Sequence, residues 1–287
     1  MRLATWNINS IRTRVSRAVD FAVREDIDVL ALQEIKCKPE QFPYAPFEEA
    51  GYHVEAHGLN QWNGVAIASR LPMTDIETSF AGMPGFKKDT ATGSAIHGAD
   101  APLEARALGA VIDGVKVWSL YVPNGRSLDD PHYQYKLHWL DELRQATVAQ
   151  LQSTPDLPLA LVGDFNIIPF DVDNGDPDIV EGVSTHVSPE ERAAFFAFQD
   201  AGLTDVVRPL IPEGFTYWDY QRLKFPRNEG VRIDFVLGSH ALAEAVTGAS
   251  IHREERKGEQ PSDHVPVVVD LDFGTAEDDD DMPMIFS

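Results

Sequence analysis

Asp164 and Asn166, in Leu161-Val162-Gly163-Asp164-Phe165-Asn166, stand at the end of an apolar run and are answered near the C-terminus by Asp263-His264. Each of these residue types has a chemistry to offer. A carboxylate can take a proton from water, an amide can donate to a developing oxyanion, and a second carboxylate beside a histidine can ligate a hard metal. These are the parts needed to hydrolyse a phosphodiester.

Further polar residues fall at comparable places. Asn7 and Asn9 follow one apolar segment, Glu34 another, and Tyr121 with Asn124 a third, while Asp234 interrupts the run of Ile233, Phe235 and Val236. Singly each is ordinary, because Asp or Asn at a strand end most often caps a turn, and His264 is one of nine histidines. Jointly they are not. Carboxylates gathered at one rim repel each other unless a hard divalent cation sits among them, and Mg²⁺ takes a few carboxylate oxygens together with water and phosphate.

The elements that must position these groups alternate short apolar runs with amphipathic segments, and no solenoid or propeller period is present. Strands are predicted over 2–6, 28–32, 64–69, 108–112, 116–122, 159–162, 231–237 and 265–271. Helices are predicted over 12–25, where Val15, Ala18, Val19 and Ala22 share a face, over 133–151, and over 189–201, where Pro189 suits a first turn. Segments 80–104 and 170–188, rich in Gly, Pro, Asp and Thr, read as long functional loops.

At 287 residues, 43% hydrophobic and 24% charged, the chain can bury a large core, which argues against fibre, repeat or wholesale disorder. One α/β domain is expected over 1–273, followed by an acidic, disordered tail over 274–287. Cys37 is the only cysteine, so an intramolecular disulfide and a thiolate zinc cluster are both excluded, and it reads as a packing residue. Residues 1–9 read as a strand rather than a leader and no apolar run approaches a membrane span, so a cytoplasmic monomer without a membrane partner is expected. The net charge of −22 opposes a simple electrostatic DNA binder. A polyanion would need a locally basic face, for which Arg12, Arg14, Lys36, Lys38, Lys87, Lys88, Arg222, Lys224 and Arg227 are the candidates.

The motifs Trp6-Asn7-Ile8-Asn9-Ser10-Ile11-Arg12, Leu32-Gln33-Glu34-Ile35-Lys36-Cys37, Tyr121-Val122-Pro123-Asn124-Gly125, Gly163-Asp164-Phe165-Asn166, Arg232-Ile233-Asp234-Phe235 and Ser262-Asp263-His264-Val265-Pro266 occur in that order. Over about residues 1–273 the chain resembles the exonuclease III family of AP endonucleases, within the endonuclease/exonuclease/phosphatase superfamily that includes deoxyribonuclease I. The resemblance implies a four-layered α/β sandwich, two mainly antiparallel β-sheets packed face to face and flanked by helices. It also implies a Mg²⁺ cofactor, with Mn²⁺ as a substitute, and double-stranded DNA with abasic sites or 3' ends as the partner.

Roles follow from the resemblance residue by residue. Glu34 becomes the principal metal ligand, with Asp263 and Asn9 as direct or water-mediated partners, and Asn7 positions Asp164. Asp164 orients or deprotonates the attacking water, Asn166 donates to the non-bridging oxygen, and Tyr121, Asn124 and His264 contact the scissile phosphate, with His264 held by Asp234. Tyr217, Trp218, Val231 and Ile233 become the lining of a pocket for a flipped-out abasic sugar, Val231 standing where some relatives carry a large aromatic. Gln221 and Arg222 lie where relatives insert a side chain into the duplex, and Arg12, Lys36, Trp62 and Arg126 match or adjoin DNA-strand contacts.

The expected activity is incision 5' to abasic sites, with 3'-5' exonuclease and 3'-phosphatase or phosphodiesterase activity. Three alternatives stand beside it: a 3'-end-processing exonuclease with little incision activity, a superfamily phosphatase, and a catalytically silent DNA-binding protein. The acidic run of Glu277 to Asp281, followed by Pro283 and Phe286, reads as a tail that docks a repair protein or competes with DNA, or as a solubilising end.

Overall fold

The computed structural model describes residues 1–88 and 95–274, so the predicted acidic tail lies, apart from Gly274, outside the described residues. In chain order the first elements are β1 (Arg2–Asn7), α1 (Ile11–Arg24), β2 (Val29–Gln33), α2 (Tyr44–Glu49), β3 (His53–His57), β4 (Val65–Ser69) and β5 (Met73–Glu77). Next come β6 (Gly85–Lys88), β7 (Ala95–Gly98), β8 (Ala107–Ile112), β9 (Val115–Tyr121), α3 (Pro131–Ser153) and β10 (Leu159–Asp164). The last are α4 (Pro189–Asp200), β11 (Thr204–Asp205), β12 (Asp234–Gly238), α5 (His240–Ala245), β13 (Val246–Ile251) and β14 (Val267–Leu271).

Two six-stranded sheets result, in the orders β13-β14-β1-β2-β4-β3 and β11-β12-β10-β9-β8-β5. Each has one parallel pair, β1 with β2 and β9 with β10, and is otherwise antiparallel. The period-2 alternation of the strands explains why the sheets stack. Leu3, Val29, Ile67, Val117, Val162 and Val236 fill the space between them. The intervening residues face outward: Ala4 and Trp6 pack with Phe21 beneath α1, and Trp118 and Leu120 pack with Trp139, Leu143 and Phe198 beneath α3 and α4. The four-layered sandwich is therefore helix, sheet, sheet, helix, each buried aliphatic contributing roughly 1.5–3 kcal/mol.

Local signals set the helix ends. Pro131 and Pro189 open α3 and α4, capped by Asp130 and Ser188, and Ser188 with Glu191 forms a reciprocal capping box. Two expectations are corrected. The strand predicted over 231–237 begins only at Asp234, because Val231 makes isolated bridges to Tyr217 and Asn174 and the Arg232 N–H bonds to Asp173. The segment predicted as a loop over 80–104 carries the hairpin of β6 and β7, with 89–94 outside the described residues.

Gly163 is the backbone position on which the site's register depends. It has φ +144°, and a Cβ there would lie 1.9 Å from the Leu120 carbonyl oxygen of the paired strand β9. Gly163→Ala is expected to lower Tm by on the order of 10 °C, or to prevent folded expression, and to abolish activity. A variant unfolding within about 2 °C of wild type would sink this account of the β9–β10 pair.

Candidate active site

Strand register assembles the site. Asp164 at the end of β10 pairs with Tyr121 on the parallel strand β9 and with Asp234 on the antiparallel strand β12, so three adjacent strands present Tyr121, Asp164 and Asp234 in one row. The other sheet ends at the same rim, where Asn7 of β1 pairs with Gln33 of β2 and Glu34 follows with φ 50°. Asn7 joins the sheets: its Nδ2 donates to Glu34 Oε1 at 2.9 Å and to Asp164 Oδ2 at 3.0 Å. Beneath it, Gln33 Nε2 donates to Ser119 Oγ at 3.0 Å across the sandwich.

Asp164 is buried and heavily supplied with donors. Its Oδ1 accepts from the Asn166 backbone N–H at 2.9 Å, and the Asn166 side-chain amide donates to the Val122 carbonyl at 3.0 Å. Burial pushes the Asp164 carboxyl up to about 7, with Asp234 and Glu34 adding repulsion and His264 opposing it. His264 Nδ1 lies 2.8 Å from Asp234 Oδ2, and its Nε2 lies 3.7 Å from Asp164. Burial works against the imidazolium, but the Asp234 and Asp164 charges outweigh it and raise His264 to about 10. A raised base and a protonated imidazole thus face the same space. Tyr121 is kept a phenol, since burial beside Glu34 moves it well up.

Glu34, Asp164 and His264 offer ligand atoms within 4.8 Å of one another. His264, carrying a proton on each nitrogen, is a poor ligand, so the ion-binding side of the group is the carboxylates. Glu34 suits that role: burial raises its carboxyl, but the Lys36 charge and the Asn7 hydrogen bond carry it below its ordinary value, and it stays ionised. Asp263 Oδ1 accepts from Asn9 Nδ2 at 3.0 Å, and the Lys36 ammonium links Asn9 Oδ1 to Glu34 Oε2. Hard oxygen donors of this kind fit a small divalent cation.

A cavity of about 580 Å³ opens against this row and is lined by Tyr121, Asn124, Tyr217, Val231, Ile233 and Asp263, among others. Gln221, Arg222 and Arg126 also lie on its wall. Trp218 does not, which corrects its expected place in the pocket. Successive residues of an extended segment face opposite ways, so the Tyr217 and His264 rings meet at 4.9 Å between centroids while Trp218, buried, turns away from the cavity onto Phe225 and Arg253. Lys36 is drawn inward, 2.8 Å from Glu34 Oε2 and 2.5 Å from Asn9 Oδ1, rather than being offered to a DNA strand. Arg12 and Trp62 are exposed and lie off the cavity wall. Arg14, half-buried, ties Asn9 and Tyr220 together. Cys37 is buried and burial pushes its thiol to about 11, as suits a packing residue.

His186 belongs to the site and was not legible in the sequence. Its Nε2 lies 3.1 Å from Asn124 Nδ2 and 3.2 Å from Asn166 Oδ1, and burial with the Lys136 charge depresses it to about 4, so the ring is neutral. Asn124 Nδ2 also donates to Asn166 Oδ1 at 3.1 Å. Nothing in the Thr185-His186-Val187 sequence marks such a placement. Asp176, Asp178 and Lys224 line the mouth, with Lys224 Nζ 2.5 Å from Asp176 and 2.6 Å from Asp178.

A two-sheet sandwich with a carboxylate row, an Asp-His pair and an acidic corner that could hold a cation fits a phosphodiester hydrolase of the metal-dependent nuclease class. Residues 4–264 match the Endonuclease/Exonuclease/phosphatase family, and the chain belongs to it. The exodeoxyribonuclease III of Haemophilus influenzae is 33% identical over 93% of this chain and 98% of that protein. The structure of the 3' phosphatase NExo from Neisseria, bound to a product DNA hairpin, is similar with TM-score 0.84 and 34% identity, covering 95% of this chain and 99% of that one. An AP endonuclease structure from Archaeoglobus fulgidus is similar with TM-score 0.81 and 31% identity over 95% and 99%. The chain is thus a nuclease of the DNA-repair kind. Among the described residues, no helix is long and apolar enough to cross a membrane.

The electrostatics of Asp164 set a stability signature. Its folded carboxyl titrates at about 7, above the usual range near 3.9, so the stability it contributes is full below about pH 4 and is lost as pH rises to about 7. In EDTA, Asp164→Asn is expected to raise Tm by on the order of 5 °C at pH 8 and to converge on wild type near pH 4. Thermal unfolding across that range tests it; equal Tm values at pH 8 would remove the case for a strained, proton-hungry base.

Proposed function

We propose that this protein is a Mg²⁺-dependent AP endonuclease that cuts 5' to abasic sites in duplex DNA, with 3'-5' exonuclease and 3'-phosphatase or phosphodiesterase activity. The observation that carries the reading is the cavity of about 580 Å³ beside Asp164, with Tyr217, Val231 and Ile233 as its apolar wall. That wall suits a deoxyribose without its base.

Asp164 takes the proton of the attacking water, its raised pKa matching the work of a base near neutral pH. Asn166 and Asn124 donate to the non-bridging oxygens, and His264, held cationic by Asp234, neutralises charge on the phosphate. Glu34, with Asp263 and Asn9, would hold Mg²⁺, for which Mn²⁺ could substitute, and the bound ion would supply charge neutralisation at the phosphate. Gln221, Arg222 and Arg126 contact the strands at the cavity mouth. Residues 1–273 form the catalytic domain, and the acidic sequence of 274–287 suits docking a repair protein or competing with DNA.

His186 favours a second reading. Its ring stands in the cavity beside Asn124 and Asn166, where it reduces the room for an internal sugar and leaves an end-on 3' terminus less affected. A 3'-end-processing enzyme with little incision activity would result, and the similar NExo from Neisseria is a 3' phosphatase. The deciding experiment is cleavage of a duplex with one abasic-site analogue, an undamaged duplex and a 3'-phosphate duplex, in Mg²⁺ or EDTA, with wild type and Asp164→Asn. Metal-dependent incision 5' of the lesion, reduced at least about 10³-fold in the variant, is expected. Removal of 3' groups without incision would move the function to end processing, and no cleavage with any divalent ion would end the nuclease reading. His186 has φ 79°, which glycine adopts without strain. His186→Gly is therefore expected to raise incision relative to 3'-end removal by at least about fivefold; an unchanged ratio would clear the ring of any part in selectivity.

A further inference from the structure

Behind the two asparagines lies an ion pair that the chemistry above does not use. Lys136 of α3 and Glu191 in the first turn of α4 are both fully buried, at 0% exposure. Lys136 Nζ donates to the Asn166 backbone carbonyl at 2.6 Å, to the Asn124 carbonyl at 3.4 Å, and to Glu191 Oε1. Thr185 Oγ1 lies 2.7 Å from Glu191 Oε1 and 3.3 Å from the same Asn124 carbonyl. Glu191 Oε2 accepts from Ser188 Oγ at 2.7 Å and from the Ser188 N–H at 3.1 Å. Two helices and two active-site loops thus meet at one ammonium.

Stability alone is a weak reason for such a pair. Desolvating two charges costs several kcal/mol, and apolar replacements of similar volume are often neutral or stabilising. What an apolar pair cannot do is draw two carbonyls from different loops to one donor. Asn124 leaves the end of β9 and Asn166 the end of β10, with no strand pairing beyond Tyr121 and Asp164 to fix their separation.

We propose that Lys136 and Glu191 are positioning residues, whose buried pair gathers the backbone carbonyls of Asn124 and Asn166 so that the two side-chain amides converge beside His186. The proposal rests on the phosphodiester-cleaving reading given above. Lys136 donates to the backbone and touches no substrate, so its effect reaches the phosphate only through the asparagines.

The test compares wild type with Lys136→Met, with Lys136→Met/Glu191→Leu and with Thr185→Val, measuring Tm, kcat and KM on whichever duplex the wild type cleaves. The single Lys136 variant strands a buried carboxylate and is expected to lose stability and activity together. In the double variant Tm is expected to return to within about 5 °C of wild type, while kcat stays about 10²-fold down with KM changed less than about threefold. Recovery of kcat to within about threefold alongside Tm would overturn the proposal, because a purely structural pair predicts that the two return together. If the double variant does not fold, Thr185→Val decides: a fall of about fivefold in kcat at unchanged Tm and KM supports the proposal, and an unchanged kcat overturns it. The Asn124 and Asn166 side-chain amide resonances, read without DNA or metal in Thr185→Val, separate this outcome from a failure of the nuclease reading. Displaced resonances support positioning, and coincident ones refute it even if the wild type cleaves no DNA.

Discussion

Two carboxylates that belong to different sheets share one amide, and the architecture of the site depends on that sharing. Asn7 donates to both Glu34 and Asp164, groups that repel each other and are shielded from water. The amide can serve both only if the two sheet edges end flush. Flushness in turn requires the apolar packing between the sheets and the Gln33–Ser119 hydrogen bond that joins them under the rim. A shift of register by one residue in either central parallel pair would carry Asp164 or Glu34 to the opposite face of its sheet.

Around that amide the protein separates its charges by function. On one side, Asp234 and Asp164 hold a buried imidazolium, and burial keeps the Asp164 carboxyl ready to take a proton. On the other, Lys36 and Asn7 keep Glu34 ionised. Two carboxylates about one amide apart are thus pushed in opposite directions, which is how neighbouring groups of one type come to perform different tasks. The Asp164 environment is not local in sequence, since Asp164, Asp234 and His264 reach each other only through the end of one sheet and the loop before β14.

The overall charge of −22 leaves little general attraction for a polyanion. At the cavity mouth, moreover, Arg222 and Lys224 are already paired with Asp176 and Asp178. On the function proposed above, attraction to phosphate would come from donors aimed at one point, together with a cation, rather than from a basic field. Such a surface favours a recognition step governed by fit over one governed by long-range steering.

Much of this was legible in the chain. Short apolar runs in 2–6, 108–112 and 159–162, and the helix-opening Pro189, are local signals of strand and helix, so they determine the layers without reference to distant partners. The motifs around Glu34, Asp164, Asp234 and His264 drew attention because each sets a polar residue at the end or edge of an apolar run. The outward turn of Trp218, the inward reach of Lys36, and the places of His186, Lys136 and Glu191 were decided by tertiary structure alone. Lys136 shared a helix face with Tyr133, Leu140 and Leu143, yet a lysine on an apolar stripe reads equally as a snorkelling surface residue until its partner is known. Sequence by itself determines which side chains follow which strand, because covalent order and local periodicity are short-range. Which of them share a proton, an ion or a cavity depends on contacts between residues far apart in the chain, and these exist only once the two sheets are stacked.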